Sequence, residues 1–225
     1  RVDIYHPKKG NGQMVVVCPG GGYRYVSALK EGLHVADWMV ERGIAVAVVK
    51  HRMPAGHWEI PLVDVQNAFR YCRAHAGEWG ISQIGVMGFS AGGHLAASAS
   101  TLYTDELTRP DFSVLIYPVV SLNRKFVGQG TRNNLLGKDE MWEGNEAKLN
   151  ELVEYYSMEK RVGPETPQTF ITHSTNDKTL VDNSLIYYKS LITHKIPAEM
   201  HLWKSGGHGW GFSSEKLAGK GKDKL

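Results

Sequence analysis

The sequence predicts an α/β fold: a mostly parallel central sheet with helices on both faces. Three observations carry this expectation. Apolar runs of strand length recur at residues 14–18, 44–49, 84–89, 112–117 and 168–173. Segments with apolar residues three and four apart lie between them. Glycine or proline stands at most of the junctions. Strands that alternate with helices build parallel sheets, and a strand covered on both faces is apolar throughout rather than alternating.

Taken in order, residues 2–5 form a first strand and residues 14–18 a second, which runs into Pro19-Gly20-Gly21-Gly22-Tyr23. Leu33, Ala36, Met39 and Val40 mark one face of a helix over 31–42, which Gly43 ends before the buried strand at 44–49. Pro61 opens a second helix with Leu62, Val65, Ala68 and Phe69 on one face, closed by Gly77 and Gly80. The strand at 112–117 stops at Pro118. Residues 121–165 break the alternation: they are polar, interrupted by five glycines, and placed where a cap over a site is expected. Phe126, Trp142, Tyr155 and Tyr156 are its candidates either for reaching a substrate or for packing. After the strand at 168–173, Leu185, Tyr188, Leu191 and Ile192 mark a helix, and residues 198–203 alternate as the last strand. The expected organisation is one domain over 1–215 and a basic tail over 216–225.

Composition narrows the function classes. The chain has 225 residues, 42% hydrophobic and 22% charged, which is ordinary for a globular domain. The net charge of +3 equals that of the tail, where four lysines face one aspartate, so the body is neutral and gives no case for nucleic-acid binding. No apolar run is long enough to cross a membrane. Cys18 and Cys72 fall in a strand and a helix and are expected as buried free thiols; two cysteines leave the compartment open. The oligomeric state is not encoded in any motif.

The chemistry-bearing stretch is Gly88-Phe89-Ser90-Ala91-Gly92. It reads G-x-S-x-G between a strand and a small-residue helix. Such a turn strains the serine backbone and lifts its hydroxyl above the sheet edge. A base and an acid should then follow later in the chain, each after its own strand. Asp177 lies in the polar loop after strand 168–173, where parallel sheets gather functional groups. It is preferred to Asp182, which falls in the first turn of the next helix. His208 lies in the glycine-rich loop after strand 198–203, whereas His173 and His201 are read as structural. For the oxyanion hole, the expected amides are those of Gly21, Gly22 and Ala91, the residue after the nucleophile. Pro19 stands where lipases often carry a histidine. Tyr23, Tyr25, Trp58 and Trp210 are the candidate substrate-binding aromatics. The chemistry calls for no cofactor, and no H-E-x-x-H or similar metal-ligand spacing occurs.

With these motifs the chain, from about residue 2 to 213, resembles the α/β-hydrolase superfamily. The segments Pro19-Gly20-Gly21-Gly22-Tyr23, Lys30-Glu31-Gly32 and residues 88–96 are similar to its bacterial acetylxylan-esterase-like branch. That resemblance implies a serine ester hydrolase that deacetylates plant hemicellulose such as xylan, or removes feruloyl groups. It also implies export, with a leader outside this chain. Three other readings stand beside it: a serine peptidase of the prolyl-oligopeptidase type, a formamidase or other amidase, and a non-catalytic binding protein on a hydrolase scaffold.

Overall fold

In the computed structural model, residues 1–212 are described. The basic tail over 216–225 lies outside them. Among the described residues, seven strands form one sheet: β1 (Val2–Tyr5), β2 (Gln13–Cys18), β3 (Ala45–Val49), β4 (Gln83–Phe89), β5 (Ser113–Ile116), β6 (Thr169–Ser174) and β7 (Ala198–Trp203). Their order is β1-β3-β2-β4-β5-β6-β7; β1 is antiparallel to β3 and every other pairing is parallel. β2 and β3 are almost wholly buried, as continuous valine- and alanine-rich runs require.

Among the described residues, six α-helices complete the layers: α1 (His34–Val40), α2 (Ile60–Trp79), α3 (Ala91–Thr101), α4 (Gln129–Leu136), α5 (Glu146–Tyr155) and α6 (Asp182–Thr193). Val35, Ala36 and Met39 of α1 cover one sheet face, together with Trp210. α2 to α6 share the opposite core, through residues such as Phe69, Leu95, Leu136, Leu152 and Tyr187. The fold expected from the sequence is therefore the one found. Two local expectations change. The helix read over 31–42 splits into a wide π-type turn at Leu29–Leu33 and the shorter α1. The buried face of α6 is Asn183, Ser184, Tyr187 and Leu191, while Leu185 and Ile192 point outward. Gly80, in the left-handed region at φ 65°, ends α2, and Gly77 remains inside that helix.

The excursion after β5 packs on the α2–α6 side. Leu135, Leu136, Leu149 and Leu152 bury their side chains in that core. Asn134 Nδ2 donates 2.8 Å to the Gly22 carbonyl and so ties α4 to the loop after β2. Both cysteines are free and buried, and burial pushes the Cys72 thiol up to about 12. Among the described residues, no helix is long and apolar enough to cross a membrane.

Candidate active site

Ser90 joins β4 to α3 with φ 55° and ψ −120°, a conformation that L-residues rarely hold. Its neighbours permit the tight turn: a Cβ on Gly88 would overlap the Gly92 carbonyl, and one on Gly92 would overlap the Cys18 carbonyl. The turn is held from both sides. Ser90 N–H donates to Ile116 O at 3.1 Å, and its carbonyl accepts from Gly93, His94 and Val119.

The loops after β6 and β7 meet Ser90 at this edge. His208 Nε2 lies 2.8 Å from Ser90 Oγ, and His208 Nδ1 lies 2.8 Å from Asp177 Oδ2. A carboxylate only accepts, so Nδ1 carries the proton and Nε2 is left to accept from the serine hydroxyl. Asp177 is fully enclosed as a side chain. Burial works to raise its pKa, but hydrogen bonds from His173 and His208 outweigh it and hold the carboxyl below its ordinary value.

His173 is therefore part of the arrangement. It is 0% exposed, and its Nε2 sits 2.9 Å from Thr179 O and 3.2 Å from Asp177 Oδ2. Since both of those atoms are acceptors, Nε2 carries the hydrogen, and Ser184 Oγ donates to Nδ1 at 2.8 Å. Thr179 N–H adds a 2.7 Å bond to Asp177 Oδ1. The acid is thus gripped from several sides before it orients His208.

The glycine loop is anchored by Glu31, buried to 5% exposure. Glu31 Oε2 accepts from Gly20 N–H at 2.8 Å, which takes that amide out of use. Its Oε1 accepts from Tyr117 O–H at 2.8 Å, and the Tyr117 oxygen accepts from Gly211 N–H at 2.9 Å. One carboxylate therefore ties together the loop after β2, the end of β5 and the loop carrying His208. The Tyr117 ring centroid lies 4.9 Å from that of His208, edge-on. Burial pushes the Tyr117 phenol well above its ordinary value, followed by the charge of Glu31, so it stays protonated and donating. Neither role was legible: Glu31 stood inside a quoted motif without a partner, and Tyr117 looked like the end of a strand.

Gly21 and Gly22 line a cavity of about 420 Å³ with Ser90, His208, Tyr25 and Lys30. Among the described residues, the amides of Gly21, Gly22 and Ala91 have no acceptor. Of the aromatic candidates, only Tyr25, 62% exposed, lines this cavity. Three are corrected. Tyr23 is buried beneath the loop, its hydroxyl 2.7 Å from His94 Nδ1. Trp210 is buried against Tyr117 at 4.9 Å between ring centroids. Trp58 packs beside Trp142 and lines neither cavity that reaches His208. Tyr23 and Trp210 gain more by filling the interior than by facing water, whereas Trp58 stays half-buried at its edge. Of the four aromatics in the excursion, Phe126 lines the second cavity beside His208, and Trp142, Tyr155 and Tyr156 line neither.

A roomier cavity of about 580 Å³, lined by Val15, Met39, Met87, Phe112, Val114 and Phe170, holds neither Ser90 nor His208. Volume does not mark the chemistry here; the convergence of a hydroxyl, an imidazole and an enclosed carboxylate does.

A parallel sheet with a strained serine between β4 and α3, followed in chain order by an acid and a histidine, defines an α/β-hydrolase. Within that class the chain belongs to the BD-FAE family, which matches residues 2–191 and so includes Ser90 and Asp177 but stops short of His208. The chain is 36% identical over 213 residues to an acetylxylan esterase of Xylanibacter ruminicola, covering 92% of this chain and 43% of that protein. It is 30% identical over 212 residues to endo-1,4-beta-xylanase B of Butyrivibrio fibrisolvens, covering 87% of this chain and 32% of that one. The chain thus spans less than half the length of these curated relatives. Among solved structures it superposes on an acetyl ester-xyloside bifunctional hydrolase from Caldicellulosiruptor lactoaceticus with a TM-score of 0.81 and 32% identity, covering 96% of this chain and 84% of that one.

Proposed function

We propose that this chain is a serine ester hydrolase that removes acetyl groups from xylan. The observation that carries the reading is the relay Ser90 Oγ–His208 Nε2–Asp177, with both contacts at 2.8 Å. Ser90 Oγ attacks the ester carbonyl as His208 Nε2 takes its proton, while Asp177 holds the tautomer and faces the imidazolium that forms. The oxyanion is met by the unsatisfied amides of Gly21 or Gly22 and of Ala91 at the start of α3. His208 then returns the proton to the departing sugar oxygen. Water attacks the acetyl-enzyme by the reverse route and releases acetate. The choice of acetylated xylan rests on the relatives, one called an acetylxylan esterase and one an acetyl ester-xyloside hydrolase.

The test is hydrolysis of p-nitrophenyl acetate, butyrate and octanoate, together with acetate release from acetylated xylan. Ser90→Ala should lower kcat about 10⁶-fold and Asp177→Asn about 10⁴-fold, both without unfolding. Ester turnover without acetate release from xylan would keep the mechanism and discard the substrate. Equal rates for wild type and Ser90→Ala would discard the mechanism.

A further inference from the structure

A second cavity, about 510 Å³, shares Thr131, Thr179 and His208 with the first, but includes neither Ser90 nor the glycine loop. This asymmetry assigns sides. The departing oxygen must come within hydrogen-bond reach of His208 Nε2 to take its proton, so the cavity beside His208 lies on the alcohol side of the ester. Its apolar lining includes Phe126 and Leu180, and its charged lining is Arg124, Lys125 and Lys178, with no carboxylate among them.

These cations are under-neutralised. Arg124 Nη2 pairs with Asp139 Oδ2 at 2.5 Å, and the same carboxylate stands 3.7 Å from Arg132 Nη2. Arg132, almost buried in α4, has no partner for its Nε among the described residues. Burial lowers its pKa, and the neighbouring charge of Arg124 lowers it further. Lys125 Nζ lies 5.4 Å from the centroid of the Phe126 ring, and neither Lys125 nor Lys178 makes an ion pair among the described residues. Three cations therefore line a cavity placed for the leaving alcohol, and the one carboxylate that pairs with any of them, Asp139, is divided between Arg124 and Arg132. A neutral sugar chain would leave that field unanswered, and a carboxylate would answer it.

We propose that the cavity beside His208 is a subsite for an acetylated oligosaccharide carrying a uronic-acid carboxylate, which Lys125 and Lys178 recognise. The proposal rests on the ester-hydrolase reading above and adds the charge of the alcohol to it. Both lysines are exposed, so each contact is worth little singly and is screened by salt, and the effect should appear in KM more than in kcat.

The experiment compares acetate release from two acetylated xylo-oligosaccharides of equal length, one with a glucuronic-acid branch and one without, at low and high ionic strength. For wild type, kcat/KM should favour the acidic substrate about tenfold at low salt, shrinking towards parity at high salt. In Lys125→Glu/Lys178→Glu the preference should invert, and in Lys125→Gln/Lys178→Gln it should vanish. Parity in wild type at low salt, or a preference that survives both salt and charge reversal, would overturn the subsite while leaving the esterase standing. Release of acetate from neither substrate, with Ser90→Ala no slower on p-nitrophenyl acetate, would overturn both.

Discussion

At the scale of single residues, the molecule keeps strain and order in the same few ångströms. Ser90 holds φ 55° because Gly88 and Gly92 let the turn close tightly and four backbone hydrogen bonds hold it there. Backbone strain of this kind costs about 1–3 kcal/mol, and a glycine would shed it, less the extra chain entropy that glycine carries when unfolded. Ser90→Gly should therefore be more stable than Ser90→Ala by about 1 kcal/mol, read as a Tm higher by about 2–4 °C. Equal melting temperatures for the two variants would show that the turn is not strained in this sense. Asp177 is the opposite case, an enclosed carboxylate satisfied by His173, His208 and Thr179. The sequence pointed to Asp177 and His208 because each follows its own strand. It could not give His173 this role, since a histidine inside a strand looks the same whether or not its imidazole meets a loop four residues on.

At the scale of elements, two buried polar groups connect segments far apart in the chain. Glu31 bonds to Gly20 and to Tyr117, and Tyr117 to Gly211. Glu31→Ala would leave a buried amide and a buried phenol without their acceptor, which should cost about 2–5 kcal/mol of stability by chemical denaturation. Glu31→Gln, which keeps an acceptor for Gly20, should recover part of that loss. If Glu31→Ala is as stable as wild type, water has replaced the carboxylate and the network is not what holds the loops. His94 does similar work on the other side of α3. Its Nδ1 accepts from Tyr23 O–H and its Nε2–H donates to the Tyr156 carbonyl, each at 2.7 Å, so the glycine loop, α3 and the end of α5 meet at one ring. The patterns that foretold the helices were silent on these links, and they erred where a face was decided by packing, as in α6. There Tyr187 and Leu191 were drawn inward, and Leu185 and Ile192 were left outside.

At the scale of the whole molecule, His94 predicts how stability follows pH. Burial holds its pKa down to about 4, against the bond to Tyr156, which works to raise it. Unfolded, the imidazole takes a proton near pH 6.5, so between that value and about 4 the unfolded chain binds more protons than the folded one. Stability from this group is complete above pH 6.5 and falls by about 3 kcal/mol as pH drops to about 4. His94→Gln should be less stable at pH 7.5 yet show a flatter curve across that window in urea titrations; an unchanged slope would assign the acid sensitivity elsewhere. Local pattern was enough to determine the parallel sheet, the strand-to-helix serine, and the aspartate and histidine that follow it in order and meet it in space. These are written in apolar runs, glycine placement and chain order, which act within a few residues. Tertiary structure alone decided which rings were buried, that Gly20 is committed to Glu31 while Gly21 and Gly22 face the cavity, and that Arg124 and Arg132 share Asp139. Those outcomes depend on contacts between residues up to about a hundred positions apart, where burial and hydrogen-bond satisfaction outweigh local preference.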